Sequence, residues 1–167
     1  MRGKSQVNIE GLSVEFKNIY IEGKNVGANV EGKEIYVSSD GVLSVSGAKF
    51  SFEQKGNFIC QDKMHFTDEA IIIGAGNSLF KAENGIDFGS VGFNLSGVSK
   101  LIVGSNSEIL ITNSKIQSLH DLSFIGRSLK LENNSEIVSE GSIDLKNINI
   151  SIKKSGLRKT QMRPNQK

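Results

Sequence analysis

Apolar residues recur two apart along most of this chain, in short bursts separated by a few polar residues. From Phe50 the bursts read Phe50-x-Phe52, Phe58-x-Cys60, Met64-x-Phe66, Ile71-x-Ile73, Leu79, Ile86-x-Phe88, Phe93-x-Leu95, Leu101-x-Val103 and Ile109-x-Ile111. Residues at i and i+2 of an extended chain share one face. Each burst therefore predicts a strand of about three to five residues with one buried side. The corners between them hold Gly, Asn, Ser, Lys and Glu. They come faster than the turn signals of a sandwich, spaced about 8–12 residues apart. No consistent Asn-Gly or Asp-Gly pair marks them as hairpins.

Taking every third strand gives a longer period. Phe50, Ile71, Phe93, Ile116 and Ile137 make one series. Phe58, Leu79, Leu101, Leu122 and Ile143 make a second, and Met64, Ile86, Ile109, Leu129 and Ile150 a third. Ile9 and Val30 extend the first backwards, Phe16 and Val37 the second, and Ile21 and Leu43 the third. A repeat of this length is the mark of a solenoid. The predicted fold is all-β: a single-stranded parallel β-helix of about seven three-strand coils over residues 1–152. Strands stacked about 4.8 Å apart would make a rod about 30 to 35 Å long. The period blurs at Lys115–Leu122, where Ile116, Leu119 and Leu122 lie three apart as on a helical turn. A short helical corner or a bulged coil is expected there. No amphipathic capping helix is readable at the N-terminal end, so either the first strands are irregular or that end meets a partner, self-association through the solenoid ends included.

Charge separates off one segment. Residues 153–167 contain Lys153, Lys154, Arg158, Lys159, Arg163 and Lys167 and no acid, whereas the other 152 residues hold 14 basic residues against 18 acidic. With only Leu157 and Met162 as apolar content, this segment is expected to be a disordered basic tail able to meet an anionic surface. Gly, Asn and Ser suit the corners. Thr occurs only at 67, 112 and 160, too rarely for a threonine-array ice-binding solenoid. The single Cys60 occupies an inward position and reads as a buried thiol, with no disulfide or cysteine metal site possible within one chain.

Little in the chain points to chemistry. His65 and His120 are far apart and lack companions at metal-ligand spacing. Asp62, Asp68 and Asp87 form the best acidic grouping for acid–base work on a glycan, but surface charge on a solenoid also serves solubility. Gly74-Ala75-Gly76 is not followed by a phosphate-loop lysine. The phenylalanines sit at inward positions and not on a base-stacking face. No cofactor, metal or specific nucleic-acid motif is expected. No apolar run approaches membrane-spanning length. No leader peptide follows Met1, which points to the cytoplasm if Met1 is the native start. A fragment of a larger adhesin would instead belong at the cell surface.

The stretch from Asn18-Ile19-Tyr20-Ile21-Glu22-Gly23 to Gly41-Val42-Leu43-Ser44-Val45-Ser46-Gly47 resembles the repeats of filamentous haemagglutinin-type adhesins. That resemblance implies a right-handed β-helix serving as an extended bacterial surface rod. In size, lack of a leader and basic tail the chain also resembles the bactofilins, which implies a cytosolic scaffold that polymerises through its ends. Together these readings give a structural or adhesive solenoid without catalytic activity. A self-polymerising scaffold is the alternative, and a carbohydrate-active β-helix enzyme the lesser one.

Overall fold

The computed structural model describes residues 5–17, 21–22, 26–146 and 148–159, and every regular element among them is a β-strand. The chain coils through β1 (Ser5–Lys17) and β2 (Ile21–Glu22), then β3 (Val26–Ser39) and β4 (Leu43–Ser46), then β5 (Ala48–Cys60) and β6 (Lys63–Thr67). In these coils the first strand is long and spans two faces. Later coils break it into separate strands: β7 (Ile71–Gly74), β8 (Asn77–Ala82) and β9 (Gly85–Gly89), then β10 (Gly92–Leu95), β11 (Ser99–Val103) and β12 (Glu108–Thr112). Next come β13 (Lys115–Ser118), β14 (Leu122–Ile125) and β15 (Ser128–Glu132), then β16 (Glu136–Ser139), β17 (Ile143–Lys146) and β18 (Asn149–Lys153), and finally β19 (Gly156–Lys159).

All strand pairing is parallel and joins each strand to its counterpart one coil away. This is the expected parallel β-solenoid with three faces. The third face stacks seven strands, β2 to β18, which six turns of the coil separate. The solenoid thus has about six turns, slightly fewer than the seven coils expected.

The core is a set of ladders. On the third face Leu43, Met64, Ile86, Ile109 and Leu129 stack in register and are fully buried, as the alternation predicts. Ile21 differs: it pairs with Val45 and not with Leu43. On the first face the ladder runs Val30, Phe50, Ile72, Phe93, Ile116, Ile137 and Leu157. Ile72 thus takes the inward place expected of Ile71, while Ile71 and Ile73 face out at 40% and 38% exposure. The second face runs Val37, Phe58, Phe80, Leu101, Phe124 and Leu145. Here Phe80 replaces the expected Leu79, and Leu122 stacks with Ser99 and Ile143 instead of Leu101. Aromatic bulk decides the second face. The Phe80 ring lies flat between Phe58 (5.0 Å, 4° between planes) and Phe93 (5.2 Å, 14°), with Phe66 and Phe88 edge-on to it. Offset and edge-to-face contacts of this kind favour aromatic pairs beyond the area they bury.

One corner recurs at six places among the described residues. A residue with positive φ precedes a small inward one: Gly47–Ala48, Glu69–Ala70, Ser90–Val91, Asn113–Ser114, Asn134–Ser135 and Lys154–Ser155. The left-handed conformation turns the chain from the third face into the first. It suits Gly and Asn and costs other residues strain. The serines then satisfy backbone groups that the corner leaves unpaired. Ser114 Oγ accepts from the Val91 N–H (3.1 Å), Ser135 Oγ from the Ser114 N–H (3.3 Å), and Ser155 Oγ from the Ser135 N–H (3.1 Å). Lys115–Leu122 holds neither a helix nor a bulge. Lys115–Ser118 is a regular strand, and Leu119, counted as apolar in the sequence, points out of the next corner at 52% exposure.

The strands run past the boundary expected at residue 152. β18 includes Lys153, and Gly156–Lys159 adds a strand beside Glu136–Ser139. Leu157 continues the first-face ladder, and the Gly156 N–H donates to the Ser135 carbonyl (2.9 Å). A disordered segment starting at Lys153 is therefore corrected for residues 153–159; residues 160–167 lie outside the described residues.

Candidate functional site

The described corners are short, and shallow, open depressions lie between coils. One, of about 520 Å³, follows the left-handed corner past Ser90, Asn113, Lys115, Asn134 and Glu136. Another, of about 380 Å³, lies beside Leu95, Leu119 and Val138.

Two members of the acidic grouping, Asp62 and Asp68, are held apart. Asp62 and Asp68 flank β6 at opposite ends, about 15–20 Å apart along an extended strand. Paired glycosidase carboxylates sit roughly 5–9.5 Å apart. Asp62 Oδ1 accepts from Asn84 Nδ2 (2.9 Å). Asp68 Oδ2 accepts from Ser46 Oγ (2.7 Å) and Thr67 Oγ1 (3.3 Å). Each thus braces its corner against the coil next to it. Asp87 stacks beside His65 on the third face, and its Oδ2 meets Lys63 Nζ (2.7 Å) and His65 Nδ1 (3.4 Å). Further along that face Lys130 Nζ reaches Glu108 (2.7 Å), which holds the Glu108 carboxyl below its ordinary range. This is a half-exposed band of alternating charge. His120 lies on a corner far from His65, and its backbone carbonyl accepts from Ser118 Oγ and Ser139 Oγ. Among the described residues no group of three His, Cys, Asp or Glu is placed to hold a metal. Cys60 is buried, and burial raises its thiol pKa, so it stays protonated in its pocket.

The basic segment is where the structure does bring predicted residues together. Lys153 closes β18, Lys154 occupies the left-handed corner, and Arg158 faces out from β19 at 73% side-chain exposure, 3.5 Å from Glu136. Lys154 and Arg158 border a depression of about 340 Å³ with Asn134, Ser135 and Glu136. Lys159 ends β19, and Arg163 and Lys167 lie outside the described residues.

The same end shows a feature that the sequence pattern alone did not disclose. Ile150 and Ile152 stack in register on Leu129 and Leu131. The leucines are fully buried, yet the isoleucines are 45% and 47% exposed. The alternation marks Ile150 as core, but among the described residues no strand on the far side of β18 covers either side chain. β17, β18 and β19 each pair on one side only among the described residues. Among the described residues this end therefore shows exposed apolar side chains on β18, basic residues beside them, and strand edges to which no further strand is paired.

Among the described residues no helix is long and apolar enough to cross a membrane. No protein-family model matches the chain, and comparison with the curated proteins and with the solved structures finds no significant match.

Proposed function

We propose that this chain is a structural solenoid without catalytic activity, acting as a rod-like scaffold or binding module. The observation that carries the reading is the division of labour in the molecule. The inward residues form ladders, the polar corner groups brace neighbouring coils, and Asp62 and Asp68, at opposite ends of β6, lie too far apart to act as a pair. The test is incubation with a panel of acidic and neutral glycans. No cleavage is expected, and cleavage lost on Asp87→Asn would overturn the proposal.

A second reading, self-assembly through the solenoid ends, is favoured by the exposure of Ile150 and Ile152 at positions that are core one coil earlier. An exposed strand edge is a template for further pairing. This reading expects the sedimentation coefficient to rise with protein concentration. An unchanging monomer up to millimolar concentration would rule it out.

A further inference from the structure

Resting on the binding-module reading above, we infer that the outward side of the first face, at β10, is a binding site for an uncharged, extended glycan. The relief of the sheet leads there. Alternation along β10 sends Phe93 and Leu95 into the core and leaves Gly92 and Asn94 outside, with Ser96 just beyond the strand. In register beside Gly92 and Asn94 stand Ile71 and Ile73 of β7 on one side and Lys115 and Gln117 of β13 on the other. The β10 row is the short one, and Gly92 has open space where a side chain would be. Two of the depressions lie at opposite ends of this strand, one of about 520 Å³ beside Gly92 and one of about 380 Å³ beside Asn94 and Ser96.

The chemistry of this strip selects the ligand. Ile71 and Ile73 are exposed on one side of it and Leu119 on the other, which gives the C–H face of a sugar ring apolar surface to rest on. Among the described residues the Asn94 and Gln117 amides and the Ser96 hydroxyl bond to no protein group, whereas the corner amides of Asn84 and Asn113 are taken up by neighbouring coils. An amide and a hydroxyl each offer a donor and an acceptor, as a row of sugar hydroxyls requires. A peptide strand has less to gain here. β10 is paired with β7 and β13 along both edges, so its backbone is closed to a further strand. An anionic ligand is disfavoured as well. β7 and β10 carry no charged residue. The two depressions are lined by Glu69, Glu136 and Glu140 against Lys115 alone, and Lys115 Nζ is drawn to Glu136 (3.9 Å). Like charges set across a contact exclude the wrong partner.

The test titrates the full chain calorimetrically with linear neutral hexasaccharides (cello-, malto-, xylo- and mannohexaose) and with hexagalacturonate as the anionic probe. Saturable binding of at least one neutral hexamer is expected, and no binding of hexagalacturonate. Asn94→Ala combined with Gln117→Ala should weaken the binding about tenfold, the loss expected for two hydrogen-bonding amides. Gly92→Gln fills the open space and should abolish binding while leaving the far-ultraviolet circular dichroism unchanged. Asn57→Ala, which removes an outward amide of the second face, should change nothing. The site is overturned if no neutral hexamer binds at millimolar concentration, if binding is confined to hexagalacturonate, or if binding survives Gly92→Gln. The non-catalytic reading fails separately. Mass spectrometry of the hexamer recovered from each titration detects cleavage, and a cleaved hexamer would overturn that reading whether or not the site stands.

Discussion

Phe52 shows how tightly single residues are matched across coils. Its ring occupies space above Gly56 and Gly74, and a Cβ on either glycine would fall inside contact distance of ring carbons. Gly74→Ala should therefore destabilise the fold by about 1–3 kcal/mol, the usual cost of overpacking. The same substitution should cost much less in a Phe52→Ala background, since only the ring is in the way. A double-mutant cycle by urea denaturation measures that coupling, and additive costs would mean that the clash lies elsewhere. Gly92, with open space around it, should accept Ala within about 0.5 kcal/mol. Cys60 supplies a prediction in pH. Burial raises its thiol pKa above the ordinary 9.0. The folded state therefore keeps the proton after the unfolded chain has released it. The stability linked to Cys60 is complete below about pH 9 and is lost as pH rises above it. Stability should fall through that window in the native chain and less so in Cys60→Ala, and labelling by a thiol reagent at pH 8 should wait for unfolding.

Strands were legible from the sequence wherever polar residues marked the outward side. Met64-His65-Phe66 and Ile86-Asp87-Phe88 carry such a mark and fall in the expected register. The run Ile71-Ile72-Ile73 contains no such mark, and either alternation satisfies it. The fold chooses Ile72 because it sets Gly74 under the Phe52 ring and Ile72 itself between Phe50 and Phe93. Leu79-Phe80 is settled in the same way by the stacked rings around Phe80. These choices depend on neighbours about 21 residues away, which local alternation does not record. The basic residues of the candidate end were legible as composition. The exposure of Ile150 and Ile152 was not, because it depends on what lies beyond β18. The one-residue shift in β7 is open to direct test. Ile73→Lys should leave the urea midpoint almost unchanged, whereas Ile72→Lys should prevent folding, since it would bury an unpaired charge. The reverse order would mean that β7 has the other face inward.

At the scale of the whole molecule, each coil touches chiefly its two neighbours, as in other solenoids, so stability is close to a sum of local and interface contributions. The contributions are uneven. The rings of Phe58, Phe66, Phe80, Phe88 and Phe93 join three successive coils, whereas β18 has no buried side chain. Hydrogen exchange should therefore be slowest in β5 to β10 and fastest in β17 to β19, with the gradient running along the solenoid and not between its faces. Phe80→Ala removes the ring that joins Phe58 to Phe93. It should cost about 3–5 kcal/mol and raise exchange on all three faces of the neighbouring coils. Leu157→Ala lies at the far end of the same stack of coils. Its effect should stay within β19 and its partner β16, because few contacts pass the loss on. Were Leu157→Ala to speed exchange uniformly along the chain, the coils would be a single cooperative unit. In that case the end could not loosen or rearrange to receive a partner without unfolding the rest.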